Sequence, residues 1–123
     1  MAGILVRRGC FLVEKRDPDD DADPGFVAIP GGHVEKGESL ENALKREMSE
    51  ELGIQVLKTT KVTTGHHTAT DGEKQEIHYF HVSEWKGRIK PNEAERVYWE
   101  SNVRSLTALA DRKAVEKLLR RGF

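Results

Sequence analysis

One segment of the sequence, residues 39–52, combines a clear helix pattern with an unusual crowding of acidic side chains. Ser39 is a favourable N-cap, because its hydroxyl can accept a hydrogen bond from a free backbone N–H of the first turn. Gly53 follows at the point where a helix C-terminus needs a residue that tolerates positive φ. Between these ends, apolar residues recur at helical spacing, at Leu40, Leu44, Met48 and Leu52. The segment is therefore predicted to be a helix with one buried face.

Three glutamates of this helix, Glu47, Glu50 and Glu51, fall at positions i, i+3 and i+4. At about 100° per residue they project within one narrow arc, at the border of the apolar face. Like charges at this spacing repel, and the repulsion grows where they are partly buried. A divalent cation such as Mg²⁺ resolves the conflict, because it prefers oxygen ligands and keeps positions open for substrate phosphates. The alternative is a solvated acidic helix.

Residues upstream of the cluster favour the metal site. Arg46 precedes the glutamates and can hold one of their carboxylates by a charge-assisted hydrogen bond. Gly31 and Gly32 permit a tight turn that brings bare backbone close to a metal or a ligand. Together these residues predict a metal site where a glycine-rich loop meets the helix.

The size and charge of the chain limit its organisation and its partners. Its 123 residues fit one domain, predicted to cover residues 1–123. Charged residues make up 33% of the chain, but the formal net charge is only -1, which argues against a long nucleic acid as the main ligand. The apolar runs are too short to span a membrane. Arg7 and Arg8 interrupt the first run too early for a signal peptide, and Cys10 has no disulfide partner, so a cytoplasmic location is expected.

The rest of the sequence predicts a body built mainly of strands. Apolar, aromatic or β-branched runs predict strands at residues 4–6, 10–13, 26–29, 54–64, 76–85 and 96–99. A second helix is predicted at residues 111–121, where apolar residues return at helical spacing. The aspartate-rich stretch 17–23 lacks the glycine and glutamate of a calcium-binding loop, so we expect a solvated loop, with a place beside the active site as the alternative. The whole pattern indicates the α+β class.

The loop and the first helix share a set of fixed residues: Gly32, Glu38, Arg46, Glu47, Met48, Glu50, Glu51, Gly53 and Ile54. Their spacing resembles the signature box of the Nudix hydrolases, Gly-x5-Glu-x7-Arg-Glu-U-x-Glu-Glu-x-Gly-U, where U is a bulky aliphatic residue. Every position of the box is filled, over about a fifth of the chain. The resemblance implies a Nudix fold, in which a mixed β-sheet is sandwiched between α-helices and the box forms a loop–helix–loop.

The resemblance also implies hydrolysis of a nucleoside diphosphate linked to another moiety, with Mg²⁺, or Mn²⁺ in its place, as the cofactor. The implied metal ligands are the box glutamates and a glycine carbonyl: Glu47, Glu50, Glu51 and Gly32, or Gly31 as the alternative glycine. Arg46 would orient Glu47, and Glu38 would support the loop by hydrogen bonds or reach a metal through water.

A base must accept a proton from the attacking water. Within the box, Glu51 and Glu47 are both candidates for this role. Many members of the family instead use a glutamate outside the box, on a loop before a late strand, and Glu93 lies in the corresponding stretch of this chain. We favour Glu93 over Glu95; the alternative is that Glu93 is an ordinary acidic residue of a surface loop.

The most specific expectation is a nucleoside triphosphate pyrophosphohydrolase that releases a nucleoside monophosphate and pyrophosphate, with 8-oxo-dGTP as a candidate substrate. It follows from the short chain, which is similar to the mutator-type enzymes of the family. The expected substrate contacts are Phe26, His66 or its neighbour His67, and Asp111, which lies in the stretch at the start of the last helix where those enzymes carry an asparagine. The alternatives are hydrolysis of ADP-ribose, nucleotide sugars or dinucleoside polyphosphates, and a non-catalytic nucleotide- or RNA-binding module. The expected partner is a small nucleotide, and the protein is expected to be a monomer or a homodimer.

Overall fold

The computed structural model describes residues 1–122, and Phe123, the last residue of the predicted domain, lies outside them. The described residues form strands and helices in the order β1 (Ala2–Arg7), β2 (Cys10–Lys15), β3 (Val27–Ala28), α1 (Leu40–Leu52), β4 (Gln55–Thr68), β5 (Lys74–Lys86), β6 (Arg96–Glu100) and α2 (Leu109–Leu119). A short 3₁₀ turn, Val103–Ser105, precedes α2. The predicted α+β class is confirmed, whereas the single domain over residues 1–123 stays a prediction.

Strand β1 lies at the centre of the sheet and changes neighbours along its length. Its first half pairs in parallel with β5, from Ala2 opposite Tyr79 to Leu5 opposite Val82. Its last two residues instead pair antiparallel with β2. Beside the first half of β1, the loop at residues 30–32 takes the other edge, through a bridge to Ala2 and a 2.9 Å hydrogen bond from the N–H of Gly3. The sheet therefore brings the glycine-rich loop against its central strand.

The other strands extend the sheet on both sides of β1. Strand β2 pairs antiparallel with both β3 and β6. Strands β4 and β5 form a long antiparallel hairpin. The sheet is therefore mixed, with parallel pairing only between β1 and β5 among residues 1–122.

Helices cover both faces of this sheet, which confirms the expected sandwich. Side chains alternate along β1, so Ile4 packs on the face covered by α2 and Leu5 on the face covered by α1. Each helix contributes its apolar stripe to one buried cluster: Ala43, Leu44, Met48 and Leu52 from α1, and Ala110, Ala114, Val115 and Leu118 from α2. Alternate side chains of the strands therefore enter two separate cores, one between the sheet and each helix.

The predicted ends of α1 are confirmed. The Ser39 hydroxyl accepts a hydrogen bond from the N–H of Asn42 at 3.1 Å, and Gly53 adopts a φ of 70°. The boundaries of other elements differ. The strand predicted at residues 54–64 runs on to Thr68, because its outer part pairs through the backbone without an apolar face. Helix α2 spans Leu109–Leu119 rather than the predicted residues 111–121, and no side chain caps its start. Within residues 1–122, no helix has the length and apolar character needed to cross a membrane.

Candidate active site

Arg46 connects the glycine-rich loop to α1 through several hydrogen bonds. Its guanidinium donates to both carboxylate oxygens of Glu38, at 2.7 and 2.9 Å, and to the carbonyl of His33 at 2.9 Å. It also donates to Glu47 at 2.8 Å and to Glu50 at 3.2 Å. The hydrogen bond from Arg46 lowers the pKa of Glu38 to about 2, and its carboxylate partners raise the pKa of Arg46. Loop and helix are thereby fixed as one unit.

A side chain on either glycine of the loop would displace a neighbour, the Glu47 carboxylate at Gly32 and the backbone of residues 1–2 at Gly31. A Cβ on Gly32 would lie 2.3 Å from the carboxylate carbon of Glu47, and a Cβ on Gly31 would lie 2.2 Å from the carbonyl oxygen of Met1. The carbonyl of Gly32, a predicted metal ligand, accepts a hydrogen bond from the amino group of Met1 at 2.9 Å. The loop backbone is therefore held directly against Glu47.

The three box glutamates face different surroundings. Glu47 and Glu51 line one cleft of about 720 Å³. Glu50 is not among the residues that line this cleft; its side chain is 49% exposed and turns toward Arg46. Among residues 1–122, no three acidic, histidine or cysteine side chains converge closely enough to hold a metal ion together. The structure thus brings two of the three predicted ligands to the cleft and leaves Glu50 at its margin.

Glu51 is the most unusual acidic residue of the cleft. The residue is only 8% exposed, and its Oε2 atom is buried without a hydrogen-bond partner among the described residues. Burial, together with the nearby carboxylates of Glu14, Glu47 and Glu93, raises the pKa of Glu51 to about 10. A buried carboxyl without a partner is costly, which indicates that the site is built to hold something more than this chain provides.

Glu14 is a residue of the cleft that the sequence reasoning missed. It lies on β2, is 4% exposed, and lines the same cleft as Glu51. Burial raises the pKa of Glu14 to about 7, with contributions from Glu93 and Asp111, while Arg16 acts in the opposite direction. The available signal was its position, because it continues the strand Phe-Leu-Val-Glu on the same side as the buried Leu12.

Glu93, the favoured base outside the box, also lines the cleft. The loop that carries it is fixed to the end of α1, because the N–H of Asn92 donates to the carbonyl of Glu51 at 3.0 Å. Burial and the carboxylates of Glu47 and Glu50 raise the pKa of Glu93. Glu95 points elsewhere, with its carboxylate 3.9 Å from the ammonium of Lys15.

The predicted substrate contacts fall in three different settings. Phe26 lines the cleft, with its ring centroid 6.0 Å from that of His67. His67 also lines the cleft, whereas the side chain of His66 is 76% exposed and lies outside it, since neighbouring residues on a strand point to opposite faces. Asp111 borders the cleft but is 5% exposed, and its carboxylate accepts hydrogen bonds from the hydroxyl of Tyr79 and, at 3.1 Å, from the N–H of Ile29.

The aspartate-rich loop reaches the cleft through Asp23. The Asp23 carboxylate accepts hydrogen bonds from the N–H of Thr70 at 2.9 Å and pairs with Nε2 of His67 at 2.8 Å. The Asp23 N–H donates to the hydroxyl of Thr70 at 2.8 Å. The loop is therefore fixed to the end of the β4–β5 hairpin, and the structure places its last aspartate in the cleft wall rather than in solvent.

Comparison with known families decides how this cleft is to be interpreted. A model of the NUDIX domain matches residues 2–120. The chain belongs to the Nudix family. The loop, α1 and the glutamates described above are therefore its Nudix box, and the mixed sheet between two helices is the Nudix fold.

Several Nudix proteins are similar over most of the chain. The CTP pyrophosphohydrolase of Escherichia coli K12 is 32% identical over 106 residues, which cover 86% of this chain and 77% of that protein. Nucleoside triphosphatase NudI of Escherichia coli K12 is 42% identical over 86 residues, but these cover only 64% of this chain and 60% of NudI. A solved MutT Nudix hydrolase from Burkholderia pseudomallei superposes with a TM-score of 0.81 at 27% identity, over 95% of this chain and 94% of that one. This Nudix protein is a hydrolase acting on phosphoric anhydride bonds.

Nudix hydrolases in general need divalent metal ions, and the residues of this cleft fit one. The available donors are carboxylate and carbonyl oxygens, the ligands that Mg²⁺ and Mn²⁺ accept. The unpaired, buried Oε2 of Glu51 is an oxygen that a cation would satisfy. A bound cation would also offset the repulsion from neighbouring carboxylates that raises the pKa of Glu51.

Proposed function

We propose that this protein is a Mg²⁺-dependent nucleoside triphosphate pyrophosphohydrolase that releases a nucleoside monophosphate and pyrophosphate. The observation that carries the proposal is the unpaired carboxyl of Glu51, buried in a cleft with Glu47 and Glu93. An acidic cleft of this kind repels polyphosphate unless a cation is present, which matches a metal-dependent nucleotide hydrolase. Relatives named as a CTP pyrophosphohydrolase and a nucleoside triphosphatase support the triphosphate class.

Within this proposal, Glu47, Glu51 and the carbonyl of Gly32 hold the divalent ion, and Glu50 joins them from the margin of the cleft. The bound ion would neutralise phosphate charge and lower the pKa of a water molecule. Arg46 acts as a positioning residue, because its hydrogen bonds to Glu47 and Glu50 set the direction of both carboxylates. Mn²⁺ fits the same oxygen donors and is expected to substitute.

Glu93 is proposed as the base that accepts the proton of the attacking water. The pKa of Glu93 is raised toward neutral pH, and a general base is most effective when its pKa lies near the operating pH. It is more exposed than Glu51, so it can exchange the proton with solvent after each turnover. Glu51 is less suited to this role, because as a metal ligand its carboxylate would already be engaged.

The nucleoside is proposed to lie on the side of the cleft that carries Phe26 and His67. An aromatic side chain offers a face for a base to stack on, without fixing which base binds. Asp111 is already engaged by Tyr79 and Ile29, so its carboxylate is not free to select a base. CTP, named for one relative, and 8-oxo-dGTP, expected from the sequence, are therefore the first two substrates to compare.

The test is turnover of a panel of ribo- and deoxyribonucleoside triphosphates with Mg²⁺, including 8-oxo-dGTP, with both products separated by chromatography. ADP-ribose, a nucleotide sugar and a dinucleoside polyphosphate complete the panel as the alternative substrates. We expect a nucleoside monophosphate and pyrophosphate in equal amounts, and loss of turnover on addition of EDTA. If no triphosphate yields these products, the proposal is wrong.

Matched variants test the proposed roles. Glu93→Gln removes the proposed base, and Glu95→Gln makes the same change two residues away, outside the cleft. We expect a loss of kcat of about 10²–10⁴-fold for Glu93→Gln and little change for Glu95→Gln. Equal activity of the two variants would remove Glu93 from the mechanism.

The cytoplasmic location and the oligomeric state stay predictions.

A further inference from the structure

Glu14 lies outside the Nudix box, yet its strand directs it toward the box helix. Along β2, Phe11 and Val13 belong to the cluster under α2, and Leu12 belongs to the cluster under α1. Because alternate residues of a strand share a face, Glu14 points to the same side as Leu12. Its neighbour across the β2–β6 pair, Val97, also packs on the α1 side. Glu14 therefore occupies an apolar position of the α1 face.

The carboxyl of Glu14 lies near the positive charge of Arg16, which opposes the rise in its pKa, but the two side chains form no hydrogen bond or ion pair. Glu14 is only 4% exposed, and its side chain forms no hydrogen bond or ion pair within residues 1–122. Arg46 binds the box carboxylates, whereas Nε of Arg16 lies 3.5 Å from Asp20 and is buried without a hydrogen-bond partner. The amino group of Met1 donates to a carbonyl oxygen.

A second carboxyl in the same cleft, that of Glu51, has an oxygen that is fully buried without a partner. Glu51 is only 8% exposed, and its Oε2 atom has no hydrogen-bond partner among the described residues. Glu14 and Glu51 thus reach the same cleft from a strand and a helix, and Arg16, which also lines the cleft, forms a hydrogen bond to neither carboxyl. A cation shared between two such carboxyls would offset the cost of burying their negative charges.

We propose that Glu14 is a further ligand of the divalent cation, which it binds together with Glu51. The site then takes one carboxylate from outside the box, on the opposite side of the cleft from α1. This inference rests on the proposed metal dependence, but it adds a residue that the box does not contain. It also accounts for an acidic residue where the strand pattern calls for an apolar one.

The test is Mn²⁺ binding to metal-free protein without nucleotide, measured by the loss of the free-ion electron paramagnetic resonance signal. The variants are Glu14→Gln, Glu14→Met as a second change that suits an apolar position, and Glu84→Gln as a control. Glu84 lies on β5 and is exposed, with its carboxylate 3.7 Å from Lys58. We expect Mn²⁺ affinity to fall by about 10–100-fold in both Glu14 variants and to stay at the wild-type value in the control.

The outcomes separate this inference from the proposed function. If wild-type protein binds Mn²⁺ and both Glu14 variants bind it within about twofold of wild type, Glu14 is not a ligand, while the metal-dependent activity still stands. If wild-type protein does not bind Mn²⁺, both the inference and the proposed metal site are wrong. Near-UV circular dichroism confirms that each variant is folded, so that weaker binding can be assigned to the lost carboxylate.

Discussion

Glu51→Gln should make the metal-free protein more stable, and the gain should grow as the pH rises. The folded protein raises the pKa of Glu51 from an ordinary value of 4.5 to about 10, chiefly through burial. An acid with a raised folded pKa stabilises the fold fully below its ordinary pKa and loses that contribution as the pH rises toward the folded value. The amide of glutamine resembles the protonated acid and carries no charge at any pH, so the variant escapes this loss.

The size of the effect follows from the shift. Each pH unit between the two pKa values costs about 1.4 kcal/mol, so the interval from about pH 5.5 to about pH 7.5 costs up to about 3 kcal/mol. Because Glu14 and Glu47 share the repulsion, we expect the measured difference between variant and wild type to be about 1–2 kcal/mol. For a chain of this size, that corresponds to a Tm difference of roughly 4–9 °C.

The assay is thermal unfolding by far-UV circular dichroism in EDTA, at several pH values across that interval. Glu84→Gln is the control, because it makes the same chemical change at an exposed carboxylate on β5 that does not line the cleft. Saturating Mg²⁺ should make wild-type protein the more stable of the two. The bound ion stabilises wild-type protein, whereas the variant lacks one of the proposed metal ligands. A Tm difference that stays constant with pH, or a variant less stable than wild type at the upper end, would refute the reasoning.

Three further predictions concern the shape and packing of the site. Gly32→Ala would place a Cβ 2.3 Å from the carboxylate carbon of Glu47, so we expect kcat to fall by about 100-fold, measured with the best triphosphate; normal activity would contradict the close packing. Arg46→Lys keeps the positive charge but loses the planar fork, so we expect kcat to fall by about tenfold or more with the fold intact by circular dichroism, and an unchanged kcat would exclude the positioning role. Tyr79→Phe removes the hydroxyl that donates to the buried Asp111, so we expect the free energy of unfolding in urea to drop by about 1–3 kcal/mol; an unchanged midpoint would show that this hydrogen bond contributes nothing.

The box region shows how much local sequence can predict. Ser39 and Gly53 end α1 as expected, because a cap depends on residues a few positions away. The link from Arg46 to Glu47 was expected for the same reason and is present. The bonds from Arg46 to both oxygens of Glu38 gave the expected loop support. These contacts are close in sequence, and the roles of Arg46 and Glu38 were implied by the resemblance to the Nudix box.

Contacts between distant segments were harder to predict. Glu14 follows the strand predicted at residues 10–13 and was given no role, and only the packing of β2 against α1 shows that it is buried. Asp111 was expected to face substrate, but its carboxylate is bound by Tyr79 from β5. The choice between His66 and His67 depended on the register of β4, which the polar sequence of the outer hairpin does not specify. Each of these three positions depends on contacts between distant strands and helices that no sequence motif specifies.

The change of neighbours along β1 has a consequence for how the protein opens. The first half of this strand is bonded to β5 on one edge and to the glycine loop on the other, so the loop cannot detach without exposing the central strand. Amide hydrogens of Ala2–Arg7 should therefore exchange with solvent only through unfolding of the whole chain. Repulsion among the carboxyls beside this strand would then act on global rather than local stability, and one bound ion would slow exchange throughout the molecule.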